Sequence, residues 1–288
     1  MIGTMTRLAA TFVLAAAAVA GAGTGAPALA DGPDTVFDPL TMDRHTPESK
    51  LDVDFAFVKY DEPTATDLTA IGFAISGQYV TPTGLGGYLS LPLSYMSVEI
   101  PLIIDDSALA LGNVELGGLY AQYFSRNAAI VLHGGVALPT ASDDDAASFQ
   151  PLASSPRYGD FVQRVTNSTW VRLGVSPMGR SGRLFWRADV GLDLALDEQE
   201  NAPQYSPIFR INVGGGLDLG SAHLLAELVT SVVNDDDVQD ESGTTLALGA
   251  RFHSGNVSPG VGLILPVELN GLGFDPEFAI VVSLAARL

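Results

Sequence analysis

The sequence has no cysteine, few cationic residues and a low overall share of charged residues. Without cysteine there is no disulfide, no thiol nucleophile, no thiolate metal ligand and no lipoprotein anchor. The 14 Lys and Arg residues stand against 33 Asp and Glu, a formal net charge of −19, which argues against binding to nucleic acid. After the leader described below, no run of about 18 apolar residues occurs, so no helix is expected to cross a membrane.

The N-terminus has the three parts of a secretory signal peptide. Arg7 lies in a short polar region, Leu8 to Ala20 are apolar, and Ala28-Leu29-Ala30 is a small-x-small cleavage site. We therefore predict that residues 1–30 are a signal peptide and that the mature chain begins at Asp31. Residues 31–50 are polar and contain proline, and we predict a disordered tail there, with a small plug as the alternative.

Apolar residues alternate with small or polar residues through most of residues 51–288. Because side chains in a strand point alternately to opposite faces, the stretch from Arg183 to Leu196 has one apolar face and one charged face. The apolar positions are Leu184, Trp186, Ala188, Val190, Leu192, Leu194 and Leu196. Such segments, closed into a ring with the apolar face outward, form an outer-membrane β-barrel.

We therefore predict that residues 51–288 are an all-β domain, a transmembrane antiparallel up-and-down β-barrel of about twelve strands. The expected location is the outer membrane of a Gram-negative bacterium. The expected partners are membrane lipid, lipopolysaccharide and the barrel-assembly machinery. The last strand alternates up to Leu288, which resembles the terminal assembly signal of outer-membrane proteins. A soluble β-sandwich also alternates and is the alternative. The predicted strands are residues 51–60, 68–80, 87–97, 109–124, 128–138, 164–176, 183–196, 207–219, 222–233, 243–253, 257–266 and 277–288.

The predicted connections between strands alternate in kind. Every second one is short and free of acids, and the others are acidic, as expected for periplasmic turns and external loops respectively. Asp143 to Asp145 and Asp235 to Asp237 could bind Ca²⁺ or Mg²⁺ through carboxylate oxygens. Neither run has the spacing of an EF-hand loop, so solvated loops are favoured, and no metal site or cofactor is predicted.

The charged face of several strands is expected to point into the barrel. A ring of twelve strands is wide enough that wall side chains need not fill it. These charges could form a selectivity strip for a polar or anionic solute, or a salt-bridge network that only rigidifies the wall, which is favoured. The predicted lumen-lining residues are Arg172, Arg183, Arg187, Asp189, Asp193, Arg210, Glu227 and Arg251.

A lipid-modifying enzyme is a rival class of function, because some small barrels carry a Ser–His pair on the outer wall. The candidate pair is His253-Ser254, but adjacent residues of a strand point to opposite faces. His133 and His223 have no serine two positions away on the same face of a strand, because Ser221 lies in the predicted turn before His223. The sequence therefore predicts a protein that is not an enzyme and has no catalytic residues.

Two short passages resemble a known family. The run from Leu111 to Gly117, followed by Tyr120, and the run from Gly135 to Thr140 are similar to motifs of outer-membrane barrels of the phenol meta-degradation pathway family. The resemblance implies a barrel with a role in passage of small hydrophobic or aromatic compounds, with Glu115 as a wall residue. The Asn-Pro-Ala motif of fatty-acid channels does not occur in residues 31–50.

Taken together, these patterns predict a passive channel or transporter for a small solute. The alternative is a closed structural or surface-interaction barrel that presents acidic loops and transports nothing. An open lumen would favour the channel. Tight Arg–Asp packing across the lumen, or the stretch from Thr140 to Arg164 folded inside, would favour the closed barrel.

Overall fold

The computed structural model describes residues 37–60, 67–100, 104–141, 145–196, 206–233, 242–269 and 276–288. These residues form strands joined by tight turns and longer connections. No helix among them is long and apolar enough to span a bilayer. The strands are Lys50–Tyr60 (β1), Asp67–Val80 (β2), Leu85–Ile100 (β3), Ile104–Leu111 (β4), Glu115–Ser125 (β5), Ala128–Ala137 (β6), Trp170–Ser181 (β7), Leu184–Ala195 (β8), Ile208–Asp218 (β9), Ala222–Val233 (β10), Ser242–Phe252 (β11), Val257–Leu269 (β12) and Pro276–Arg287 (β13).

The strands close into one antiparallel barrel. Apart from β4 and β5, which do not pair with each other, each strand pairs with its neighbours in the sequence, and β1 pairs with β13 from Lys50↔Arg287 onward, which closes the ring. Both β4 and β5 pair with β3: β4 pairs with residues 93–100 of β3, and β5 pairs with residues 85–90. They are two parts of one interrupted wall strand, so the 13 segments make a barrel of 12 strands, which confirms the predicted fold class.

The outer surface is apolar, as the alternation predicts. In β9 the side chains of Phe209, Ile211 and Val213 are exposed, whereas Arg210 and Asn212 between them are buried. Other strands repeat this pattern, because lipid contacts one face and the interior of the barrel contacts the other. A period of two therefore assigns the faces without any information about tertiary contacts.

Two predicted strands differ from the structure. The predicted strand 164–176 is displaced: β7 begins at Trp170, and Pro177 and Gly179, which resemble turn residues, pair with Ile130 and Ala128 of β6. The predicted strand 109–124 is interrupted at Gly112–Val114. There the amide of Asn113 donates to the carbonyl of Gln163 instead of to a neighbouring strand.

The start of β1, the end of β13 and the short turns all lie at the same end of the barrel. Tight turns join β7 to β8, β9 to β10 and β11 to β12, and each contains a glycine with positive φ, namely Gly182, Gly220 and Gly255. This agrees with the predicted periplasmic end. Most residues of the predicted acidic loops, including Asp143 to Asp144 and Asp235 to Asp237, lie outside the described residues, as do the signal peptide and Asp31.

Two segments fill the lumen. Residues 37–49, called the plug below, precede β1, and Asp145–Gln163, called the inward loop, lies between β6 and β7. The inward loop is a series of 3₁₀ turns broken at Arg157, where φ is −128° and ψ is 67°. The plug contacts the end of the lumen near the short turns, and the inward loop contacts the opposite half.

Candidate functional site: the filled lumen

The plug is packed against inward-facing glycines of the wall. Phe37 and Leu40 are fully buried and Met42 is 1 % exposed. A Cβ at Gly214 would lie 2.5 Å from the sulfur of Met42, and one at Gly249 would lie 2.4 Å from Leu40 Cδ1. Glycine at these positions leaves the space that the plug occupies. The expected disordered tail is therefore wrong for residues 37–49, which lie folded inside the barrel.

Glu227 of β10 holds the plug by its backbone. Its Oε1 accepts a hydrogen bond of 2.7 Å from the amide of Leu40. Its Oε2 accepts bonds from the amide of Thr41 at 2.7 Å, from the hydroxyl of Thr41 at 2.8 Å and from the amide of Met42 at 3.0 Å. A buried carboxylate needs several donors to offset its lost hydration, and the plug supplies them.

Two arginines bind the carbonyl groups of the same turn. Arg251 of β11 donates to the carbonyl oxygens of Asp38 at 3.1 Å and Pro39 at 2.8 Å. Arg157 of the inward loop donates to the carbonyls of Leu40 and Met42, both at 2.8 Å. The plug backbone is therefore satisfied on both sides by buried charged side chains from the wall and from the inward loop.

A charged centre lies where plug, wall and inward loop meet. Arg44 of the plug is 2.8 Å from Asp160 of the inward loop and 3.2 Å from Asp54 of β1. Burial by itself would raise the pKa of Asp160, but the guanidinium groups of Arg44 and Arg157 outweigh burial and hold that pKa well below its usual value. Asp160 therefore stays ionised and links the two inserted segments.

The wall contributes a chain of alternating charges. Arg172 of β7 lies 2.6 Å from Glu115 of β5 and 3.2 Å from Asp193 of β8, and Asp193 lies 3.0 Å from Arg210 of β9. Arg187 contacts Asp189 at 2.7 Å. These groups are buried and neutralise one another across neighbouring strands, so they form a continuous network along one side of the lumen.

Seven of the eight predicted lumen-lining residues point inward. Arg183 does not: it lies in the turn after Gly182 and is exposed at the end of the barrel. The predicted strand began one residue too early, and φ of +61° at Gly182 turns the chain before the wall begins. The seven inward residues are Arg172, Arg187, Asp189, Asp193, Arg210, Glu227 and Arg251.

The two passages that carry the family resemblance meet at the break in the wall. Thr140 Oγ1 donates to the carbonyl of Gly112 at 2.7 Å and accepts from the amide of Val114 at 2.9 Å. The side-chain amide of Asn113 donates to the carbonyls of Val162 at 3.0 Å and Val165 at 2.6 Å. These residues therefore fix the end of the inward loop against the wall.

A histidine and a serine come together near the turn that follows β11. His253 Nδ1 lies 3.1 Å from Ser258 Oγ, and the ring of His223 meets that of His253 edge-on at 4.1 Å. Ser258 is 2 % exposed, so a lipid ester in the membrane does not reach its oxygen. The sequence candidate, Ser254, is not the serine in this contact.

Sequence reasoning missed three residues that bind the plug or the inward loop here. Arg44 lies in the stretch expected to be disordered, and Arg157 and Asp160 lie in a stretch expected to be an external loop. The only available signal is indirect, because the plug combines apolar Phe37, Leu40 and Met42 with charges, which an exposed tail does not require.

The fold matches solved outer-membrane barrels. An outer membrane channel from Pseudomonas putida F1 superposes with a TM-score of 0.67, covering 88% of this chain and 100% of that chain at 12% sequence identity. The NanC porin is similar with a TM-score of 0.53, covering 83% of this chain and 100% of that chain at 10% identity. No protein-family model matches the chain, and no curated protein matches its sequence. At these identities the likeness shows the fold of outer-membrane barrels.

Proposed function

We propose that this protein is a passive outer-membrane channel for a small solute, closed at rest by the plug. The observation that carries the proposal is that two inserted segments, the plug and the inward loop, occupy the lumen of the 12-strand ring beside its wall side chains. A wall that encloses removable contents retains the width for passage. The match in fold to an outer membrane channel agrees with this.

The way the plug is attached allows it to move out of the lumen. In the part of the chain that the structure describes, the plug is joined to the wall only through β1, and its turn from Asp38 to Met42 is held by hydrogen bonds to Glu227, Arg251 and Arg157. Water replaces such hydrogen bonds when a segment moves out, so the net free energy of each is small compared with its strength in the closed state. Opening then needs no change in the pairing of the wall strands.

We infer that the solute is small and hydrophobic or aromatic. Part of the inner wall is apolar, in contrast to the charged network on the other side, and Phe37, Leu40 and Met42 of the plug belong to the same apolar cluster. Departure of the plug uncovers apolar surface there, and an apolar lining favours apolar ligands. The resemblance of Leu111 to Gly117 and of Gly135 to Thr140 to the phenol meta-degradation pathway family supports the same class. The apolar inward residues are Val58, Tyr60, Leu68, Met96, Val98, Val229, Ile264 and Val281.

A closed structural barrel is the second candidate. Two observations favour it: the inward loop is folded inside, and arginine–carboxylate contacts connect the plug to the wall and to the inward loop. On this alternative, the charged network stiffens the barrel and the external loops carry the function. Under either proposal the protein binds lipid and lipopolysaccharide and is inserted by the barrel-assembly machinery. Neither proposal includes catalysis.

Single-channel conductance combined with a thiol reporter tests the proposal. Because the chain has no cysteine, a Thr46→Cys variant places one thiol on the plug, at a position that is fully buried. Residues 31–288 are refolded, inserted into planar bilayers and treated with a bulky thiol reagent. We expect discrete conductance steps, and we expect labelling to hold the plug outside and raise the mean conductance.

A Ser221→Cys variant, in an exposed turn, is the matched control. It should be labelled at once without a change in conductance. Electrical silence from inserted protein whose Thr46→Cys variant resists labelling while the control reacts would establish the closed barrel instead.

A further inference from the structure

Asp43, His45 and His133 bring metal-binding atoms together where the plug meets β6. One carboxylate oxygen and one nitrogen from each imidazole all lie within 4.8 Å of one another. Asp43 Oδ1 is 2.5 Å from His45 Nδ1, and Oδ2 is 3.1 Å from His133 Nε2. The three side chains are 10 % exposed or less, so the cluster is shielded from solvent.

The two imidazole rings are oriented alike. They stack with centroids 4.0 Å apart and planes inclined by 22°, and each directs a nitrogen to the same carboxylate. Gly174 of β7 makes this possible, because a Cβ there would lie 2.1 Å from His133 Nε2. The other nitrogen of His133, Nδ1, is buried and has no hydrogen-bond partner among the described residues, so Nε2 is the atom through which this ring makes its polar contact.

Nearby arginines do not depend on Asp43 for neutralisation. Arg210 Nη1 is 3.2 Å from Asp43 Oδ2, and Arg187 Nη2 is 3.7 Å from Oδ1. Each also lies closer to another carboxylate: Arg210 is 3.0 Å from Asp193, which it shares with Arg172, and Arg187 is 2.7 Å from Asp189. The carboxylate of Asp43 therefore remains available to a further cation.

We propose that Asp43, His45 and His133 bind a divalent first-row transition metal ion that ties the plug to the wall. Two imidazole nitrogens with one carboxylate oxygen are a donor set that Zn²⁺ accepts, with a fourth position left for water. The ion replaces the hydrogen on the coordinating nitrogen of each ring, and each displaced proton passes to the other ring nitrogen or to water. Two ligands lie on the plug and one on β6, so the ion would oppose release of the plug.

Metal binding is independent of the proposed function, whereas the effect of the ion on conductance rests on it. The test is calorimetric titration of Zn²⁺ into refolded protein spanning residues 31–288, freed of metal by a chelator, with Co²⁺ absorption as a second readout. His45→Gln and His133→Gln remove one ligand each. The chain has four histidines, so a double variant of the remaining two, His223→Gln with His253→Gln, is the matched control.

We expect one ion per barrel, an affinity reduced about tenfold or more in each ligand variant, and no change in the control. His45 lies on the plug, so the His45→Gln variant tests metal binding without disturbing the pairing of the wall strands. Heat-modifiable migration checks that every variant is folded. No Zn²⁺ binding by the parent, binding retained in both single variants, or binding lost only in the control would each overturn the site. Binding that leaves conductance unchanged would uphold the site and count against the channel.

Discussion

The plug and the inward loop fill the same lumen but are attached to the barrel in different ways. The inward loop continues into β6 and β7 at its two ends, and Leu152, Ala153 and Tyr158 bury apolar surface against the wall. The plug also buries apolar side chains, those of Phe37, Leu40 and Met42, but among the described residues it continues into the wall only at β1, and its central turn is held through backbone groups by buried charges. The comparison identifies the plug as the segment that can move while the wall and the inward loop remain in place.

Removing the carboxylate that holds the plug should have the largest effect. Glu227→Ala leaves the amides of Leu40, Thr41 and Met42 without their acceptor, at a cost of about 3 kcal/mol or more. We expect the plug to leave the lumen and the single-channel conductance to rise several-fold. Glu277→Gln, which alters an exposed acid of β13, is the control and should leave conductance as in the parent. Unchanged conductance in Glu227→Ala would show that the inward loop alone closes the barrel.

Filling the space under the plug should have the next largest effect. In Gly214→Val the three atoms nearest the new Cβ are side-chain atoms of Met42, Phe37 and Glu227, so the plug must shift, at a cost of about 1–3 kcal/mol. Conductance should rise while bilayer insertion stays normal. Gly118→Ala, where the new methyl makes only ordinary contact, should change neither.

Val213→Asp, one residue away from Gly214 on the lipid face, should instead impair insertion into the bilayer.

A substitution at Asn113, which fixes the inward loop to the wall, should act differently from the substitutions that release the plug. Asn113→Ala removes two hydrogen bonds to the carbonyls of Val162 and Val165, which should destabilise the barrel by about 1–3 kcal/mol. Because the inward loop is tethered at both ends, we expect the thermal midpoint to fall with little change in conductance. A large rise in conductance would instead make the inward loop the movable segment and reverse the comparison.

Lowering the pH should have the smallest effect on stability, through protonation of Asp160 at the contact between the plug and the inward loop. The pKa of Asp160 is held well below its usual value, so the folded state favours its ionised form. The stability from this ion is fully present above about pH 4 and is lost as the pH falls through the lowered pKa. Thermal midpoints measured from pH 7 to pH 2 should fall only in the acidic range. Arg44→Gln raises the lowered pKa toward its usual value, so the fall should be smaller and should end at a higher pH, and coincident curves would show that Arg44 does not act on Asp160.

The wall was largely predictable, and its errors have local causes. Alternation placed most strands to within a few residues, because each wall residue faces either lipid or interior. The sixth predicted strand failed because Pro177, Gly179 and Gly182 all resemble turn residues, and only pairing with β6 shows which of them turn the chain. The fourth failed because Asn113 bonds to the inward loop, and alternation carries no sign of that contact.

The candidate site was predictable only in its wall component. Arg172, Arg187 and Arg210 were placed in the lumen by their position on the inward face, whereas Asp43, His45, Arg157 and Asp160 lie there only under the alternatives of a small plug and a loop folded inside. Their positions depend on residues far away in sequence.

By itself, the sequence determined an outer-membrane barrel with an apolar exterior and a charged interior, since lipid imposes the same requirement on every strand and a period of two records it. Only the tertiary structure decided what occupies the lumen. The amide of Leu40 bonds to Glu227 across 187 residues of sequence, and no periodic pattern connects the two. Contacts of this kind depend on the shape left inside a closed ring, and that shape exists only once β1 has paired with β13.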